Sequence, residues 1–269
     1  MKILIIPDVH GRSFWRSDVY KVLYEQDNDT HIVFLGDYVD PYPYEWEDAD
    51  FELEYDAKVD CQEIALDTLK EIIDLKKKYP NKITLLLGNH DSGYIWDEVC
   101  HSRRDKKRYA FISKIFTDNL SLFDLAYSYD KYLFTHAGVH KKWIDLLTYE
   151  TDIKNIADYL NNWLHVDDYD KESLLGIYSY FRGYFGDSYG SCIWSDVREW
   201  SDELPNKNLN KELGYYQIFG HTQLEIGPIV KDTFACLDCR RTFLLDNDKL
   251  IDLHHPDNKE SIFDLNEEQ

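Results

Sequence analysis

The chain has no run of apolar residues long enough to cross a bilayer as a helix. It also lacks a charged-then-apolar leader, because the apolar stretch Ile3-Leu4-Ile5-Ile6 is interrupted at once by Pro7 and Asp8. These absences lead us to expect a soluble cytoplasmic protein. Positive charge is scarce, with 30 Lys and Arg against 51 Asp and Glu and a formal net charge of −21. That balance opposes association with nucleic acid or an anionic membrane unless metals or a local basic patch intervene. The acidity reads either as a solvated surface or as a device against long polyanionic substrates. Cysteines are few, odd in number at five, and scattered, which fits reduced thiols better than a disulfide framework. Cys236-Leu237-Asp238-Cys239 has metal-like spacing, but a structural zinc needs two further ligands and the adjacent His254-His255 are poorly spaced to supply them. Thiols on a strand are the expected reading. No internal repeat or low-complexity tract is present.

At 269 residues and 43% apolar, the chain can build one large α/β domain or two small ones. Short buried strands are expected at Ile3–Ile6, Ile32–Leu35, Ile83–Leu87, Tyr132–Thr135 and Tyr215–Phe219. A polar cluster follows each one: Asp8-Val9-His10-Gly11, Gly36-Asp37-Tyr38-Val39-Asp40, Gly88-Asn89-His90-Asp91, His136-Ala137-Gly138 and Gly220-His221-Thr222. Hard and borderline ligands delivered from several strand ends to one rim are what a two-metal hydrolytic site requires. The glycines suit turns where backbone passes close to a metal or phosphate. Since the ligand series runs from residue 8 to residue 221, one domain over 1–253 is favoured.

The remaining segments complete an alternating pattern. After Asp40, the acidic and aromatic loop from Pro41 to Asp48 would overhang the site. A helix is expected from about Ala57 to Tyr79, with Cys61, Ala65, Leu69 and Ile72-Ile73 on one stripe and Lys76-Lys77-Lys78 at its negative end. A second is expected from Arg104 to Leu120. Its basic run, Arg103 to Arg108, reads either as a solvated face or as an anionic-substrate contact. The stretch from about 141 to 190 reads as a helical insertion, with Ile156, Leu160 and Leu164 at helical spacing. Strands are expected at Ile229-Val230, Phe234–Leu237, Thr242–Leu245 and Leu250–Leu253, the last two forming a hairpin around Asn247-Asp248. The polar tail 254–269 is expected to fray. Alternating β and α followed by clustered strands indicates two packed sheets flanked by helices.

The five polar clusters, in this order, resemble the calcineurin-like metallophosphoesterases, whose motifs run D-x-H, G-D-x-x-D, G-N-H-D/E, a single His, and G-H. Gly36 to Asp40 and Trp194-Ser195-Asp196 are most similar to the branch holding Ser/Thr protein phosphatases and diadenosine tetraphosphatases. The resemblance implies a four-layer αββα sandwich of two mixed sheets. It also implies two metal ions, with Asp37 bridging, Asp8 and His10 completing the first site, and Asn89, His136 and His221 completing the second. Water between two such cations loses its proton near neutral pH and becomes the nucleophile. His90 matches the family's catalytic histidine, with Asp40 as the partner that orients it.

Two departures bear on substrate and metal. The protein-phosphatase motif carries an arginine immediately after its second aspartate, where this chain has Pro41. Arg182 and Arg198 are candidate substitutes for phosphate binding, since guanidinium donates two parallel hydrogen bonds. Many relatives carry a second histidine where this chain has Gln223, whose amide oxygen either ligates the first metal or leaves the position to water. Fewer nitrogen ligands favour manganese or iron, with zinc also admitted. The implied activity is hydrolysis of phosphomonoesters, on phosphoprotein or nucleotide, by metal-activated hydroxide. The alternatives are a nucleoside polyphosphate or cyclic phosphodiester hydrolase, and a non-catalytic metal-binding scaffold. The expected partner is a small or locally presented phosphoester, without nucleic acid or membrane.

Overall fold

A computed structural model describes residues 1–25, 27–42, 60–99, 103–148, 153, 155–166, 170–183, 186–187, 189–200, 213–254 and 262–266. The overhanging loop beyond Tyr42, the expected helical residues 57–59 and residue 255 lie outside them.

In chain order the elements are β1 (Lys2–Ile6), α1 (Arg16–Tyr24), β2 (Thr30–Phe34), α2 (Cys61–Lys78), β3 (Ile83–Leu86), α3 (Asn89–Ser92) and α4 (Tyr109–Asp118). There follow β4 (Phe123–Asp124), β5 (Ala126–Tyr129), β6 (Tyr132–Thr135), α5 (Lys141–Leu147), α6 (Ile156–His165) and α7 (Lys171–Leu175). The chain closes with β7 (Tyr216–Phe219), β8 (Ile229–Val230), β9 (Phe234–Cys236), β10 (Phe243–Asp246), β11 (Lys249–Asp252) and β12 (Ile262–Asp264).

Two mixed sheets result. The first has seven strands ordered β12-β11-β10-β1-β2-β3-β4, and the second has five ordered β5-β6-β7-β9-β8. β1 to β4 run parallel, as do β6, β7 and β9. Period-two alternation assigns each strand residue to a layer. Ile3, Ile5, Val33, Leu35 and Leu86 face Phe134, Tyr216 and Ile218 between the sheets. Leu4, Ile6, Ile32, Phe34 and Leu85 point the other way, against Val19 and Leu23 of α1, Leu66, Leu69 and Ile72 of α2, and Ile112 and Phe116 of α4. On the far side of the second sheet, Trp200 covers Phe219 and Phe234. Both faces of the central strands are therefore buried, which is why they read as continuous apolar runs.

Three expectations need correction. The tail does not simply fray, because β12 pairs antiparallel with β11, and Leu265 packs into the layer between the sheets. α4 begins at Tyr109 instead of Arg104, since the Asp105 carboxylate accepts the backbone N–H groups of Lys107 and Arg108 and closes a turn there. The basic run consequently lies before the helix. Cys236 sits on a strand, but Cys239 lies in the turn beyond it, and neither joins a metal-binding group among the described residues.

Candidate metal centre

The polar clusters all emerge at the carboxyl ends of parallel strands β1, β2, β3, β6 and β7, the edge at which open α/β sheets place their ligands. To reach a common point, four of their residues adopt a left-handed backbone: His10 at φ 44°, Asp37 at 52°, Asp40 at 58° and His221 at 64°. Non-glycine residues enter this region at a cost of about 1–3 kcal/mol each, so their concentration at one rim marks a functional site. Two of the turns touch back to back. A Cβ on Gly36, itself at φ 107°, would stand 2.5 Å from the Gly88 nitrogen, and one on Gly88 would stand 2.1 Å from Asp37 Oδ1.

Asp91 holds these turns together. Its buried carboxylate accepts from the backbone nitrogens of Asp37 (2.7 Å), Tyr38 (2.9 Å) and Gly88 (2.9 Å). Burial raises its pKa to about 7 despite those three bonds. Asp37 Oδ1 in turn accepts from the His90 nitrogen at 2.9 Å. The motif letter for Asp91 was visible in sequence, but its positioning role was not.

The histidine tautomers follow from their carbonyl partners, which can only accept. His10 Nδ1 donates to Val39 O at 2.7 Å and His136 Nδ1 donates to Leu35 O at 2.8 Å. Each ring therefore presents its Nε2 lone pair to the site, the arrangement usual for a ligating imidazole. His10 Nε2 lies 3.4 Å from Asp37 Oδ2. His136 Nε2 lies 3.6 Å from the same oxygen, 3.1 Å from Asn89 Oδ1 and 3.1 Å from His221 Nδ1. Donor atoms of Asp37, His136 and His221 fall within 4.8 Å of one another, as do those of Asp37, His10 and His90, so Asp37 is common to both groups. His221 Nε2 is buried with no hydrogen-bond partner among the described residues. Asp8 completes the rim, its Oδ1 accepting from the His221 nitrogen at 2.9 Å.

Such converging acceptors repel one another without a cation. Burial, followed by the charges of Asp8 and Asp91, pushes the Asp37 carboxyl well above the usual range. Burial likewise drives His10, His136 and His221 below the ordinary imidazole value. Nitrogen and oxygen donors in two groups sharing one carboxylate fit a pair of divalent or similar hard-to-borderline metals.

His90 is paired on both sides of its ring. Nδ1 donates to Asp40 Oδ2 at 3.0 Å, and Nε2 accepts from Arg103 Nη2 at 2.9 Å. That pairing favours a role beside the metals over ligation. Asp40 Oδ1 accepts from Tyr94 OH at 2.6 Å and from Gln62 Nε2 at 3.3 Å, which fixes the carboxylate.

A cavity of about 620 Å³ opens over these groups, walled by Tyr42, Tyr178 and Trp194 and reached by Arg12, Arg103 and Arg182. Gln223 also lines it, as does Asp238, whose carboxyl is raised by burial and by Asp8. Of the two arginines expected from sequence, only Arg182 reaches the cavity. Its Nε lies 2.7 Å from Asp196 Oδ2 and its Nη2 donates to Thr222 Oγ1 at 2.6 Å. Arg198 is a correction. Its side chain is 56% exposed and clamps Asp196 from outside, with Nε 2.7 Å from Oδ1, and it does not line the cavity. Arg103 begins the basic run for which a solvated face and an anionic-substrate contact were both open, and it lines the cavity, as does Arg12, which the sequence did not single out.

Among the described residues, no helix is long and apolar enough to cross a membrane. The family model described as calcineurin-like phosphoesterase matches residues 1–224. The chain is 26% identical over 140 residues to a protein phosphatase 2A catalytic subunit of Dictyostelium discoideum, covering 51% of this chain and 38% of that protein. It is 30% identical over 96 residues to serine/threonine-protein phosphatase SIT4 of Candida albicans, covering 35% of this chain and 24% of that protein. The chain thus spans less than half the length of these curated relatives. Among solved structures, a cold-active protein-tyrosine phosphatase of a psychrophilic Shewanella species is similar at TM-score 0.58 and 15% identity, over 93% of this chain and 77% of that one. That likeness is one of fold.

Proposed function

The chain belongs to the calcineurin-like phosphoesterase family, and from that premise we propose that it is a two-metal hydrolase of compact phosphomonoesters, carried on a phosphoprotein side chain or a nucleotide. The observation that carries the reading is the placement of Asp37 between two donor groups, with the His90–Asp40 pair alongside and the cavity above. Asp8, His10 and Asp37 would hold one ion, with Gln223 or water completing it, and Asp37, Asn89, His136 and His221 would hold the other. When bound, the ions supply positive charge for phosphate oxygens and make water more acidic. The donor set, with one nitrogen at the first site, favours manganese or iron.

The chain's own residues supply the rest. Asp40 keeps the His90 ring oriented with Nδ1–H inward, so that Nε2 faces the cavity as the atom that carries a proton to the departing oxygen. Tyr94 and Gln62 hold Asp40 in that pose. Metal ligation alone does not require this supported pair, which argues against a non-catalytic scaffold. The aromatic wall and the cavity suit a compact ester, and the acidic surface disfavours a long polyanion. Buried thiols at Cys192, Cys236 and Cys239 suit a reducing cytoplasm.

The deciding experiment is a turnover screen of manganese-loaded protein against phosphoserine, phosphothreonine and phosphotyrosine peptides, mononucleotides, dinucleoside tetraphosphates, cyclic nucleotides and oligonucleotides. Efficient release of phosphate from a compact monoester supports the reading. Oligonucleotide cleavage at the rate of the best monoester would overturn it in favour of a nuclease.

A further inference from the structure

Building on the phosphoesterase reading, we propose that Arg103 is the residue that grips the substrate phosphate. The position after Asp40, where the protein-phosphatase motif carries arginine, is Pro41 in this chain. Arg103 brings a guanidinium back to that place from more than sixty residues along the chain, since its Nη1 donates to the backbone oxygen of Asp40 at 2.7 Å. Its plane is set by Tyr42, whose ring centroid lies 3.1 Å from the guanidinium carbon. Tyr42 is in turn edge-on to His10, with centroids 5.6 Å apart. The fork is thus stacked against the metal rim and lines the cavity.

Arg182, the arginine expected from sequence that does line the cavity, is built differently. It is fastened to the wholly buried Asp196 and to Thr222, so moving it would uncover a buried carboxylate. Arg103 Nη2 instead donates to His90 Nε2, a neutral acceptor. A phosphate oxygen is a stronger acceptor for guanidinium and matches its two parallel donors. The Asp40 carbonyl and the Tyr42 shelf hold the fork at the cavity wall for that contact.

The test is calorimetric titration of inorganic phosphate into metal-loaded parent, Arg103→Ala and Arg103→Lys, with metal content measured in each. We expect Arg103→Ala to weaken phosphate binding roughly 10- to 100-fold, the scale of a lost charge-assisted pair, at unchanged metal content. Arg103→Lys should recover part of the loss, keeping the charge without the fork. KM for phenyl phosphate should rise by a similar factor, with a smaller change in kcat. Lys114→Ala, which removes a cation on the exposed face of α4, should leave phosphate binding at the parent value. If Arg103→Ala does not fold, the lysine variant decides the matter alone. Parent-like phosphate affinity in a metal-replete Arg103 variant would overturn the assignment while leaving the phosphoesterase reading intact. A metal-loaded parent that neither binds phosphate nor hydrolyses any ester would overturn both.

Discussion

Replacing Gly88 with alanine tests the geometry of the centre more directly than removing a ligand does. Gly88 has φ −95°, which alanine adopts freely, so the substitution introduces no backbone strain and acts through one methyl group. That methyl would lie 2.1 Å from Asp37 Oδ1 and 2.6 Å from the Asp37 nitrogen. Bringing the first contact to even 3.0 Å needs a displacement of about 0.9 Å. The carboxylate has little room to retreat, because the same Oδ1 accepts from the His90 nitrogen, and Asp91 ties the Asp37 and Gly88 backbones to one carboxylate. Either the shared ligand swings out of place or the two turns separate. Overpacking of this kind costs about 1–3 kcal/mol of stability, and a shift near 1 Å at reacting groups lowers turnover on the order of 10²-fold. Urea denaturation, metal content and turnover of the best substrate should all be measured on Gly88→Ala. A variant within about 0.5 kcal/mol of the parent, with full metal content and parent turnover, would refute the close approach of these turns as a determinant of the site.

Other variants separate the roles of neighbouring groups. His90→Asn should lower turnover about 10²–10⁴-fold with two metals retained per chain by elemental analysis, whereas Asp37→Asn should lose metal; a His90 variant that also sheds its metals would make it a ligand. His140 caps α5, its Nδ1 accepting from the Lys142 nitrogen at 3.1 Å, and burial lowers its pKa to about 4. The native state therefore binds fewer protons than the unfolded chain between the ordinary value near 6.5 and 4, so this contribution is complete above pH 6.5 and is lost as pH falls through that window. His140→Asn keeps a capping oxygen and removes the titration, and should spare up to roughly 3 kcal/mol of the acid-induced loss, measured by urea denaturation at pH 7 and 4.5. Equal losses in parent and variant would show that His140 does not contribute.

Much of the framework was legible because apolar runs and the polar residues following them survive in one dimension. The expected strands and the hairpin at Asn247-Asp248 lie where continuous burial or a tight turn leaves a local signal. α1 was missed because Val19 and Leu23 are its only buried residues, too few to establish a helical period. β12 was hidden because its apolar pair, Ile262-Phe263, sits in a polar tail and is held by the free edge of β11, a partner that composition does not reveal. Within the centre, the candidate ligands were readable as residue types, while the left-handed backbones of His10, Asp37, Asp40 and His221 were not. Arg103 illustrates the same limit. Its residue type and charged neighbourhood are visible in sequence, but its stacking on Tyr42 and its bond to His90 depend on two loops meeting in space. Arg198 shows the converse, since an arginine beside a motif was turned outward by the nearer Asp196 carboxylate.

The central position of β1 has a consequence in time. It lies between β2, which follows it closely, and β10, which begins at Phe243. At about 5–20 residues per second, β10 leaves the ribosome roughly 12 to 48 s after β1. Throughout that interval the nascent chain lacks the strand that pairs with Ile3 and Ile5 on this side. Nor can the metal rim close early, because Asp8 waits for His221. Stalled chains ending before residue 220 should therefore be cut readily by protease within β1 and take up less than two metals; metal uptake should recover once His221 has emerged and protease resistance once β10 has. For this topology, the first and last residues of the rim meet only after more than two hundred residues between them have been made.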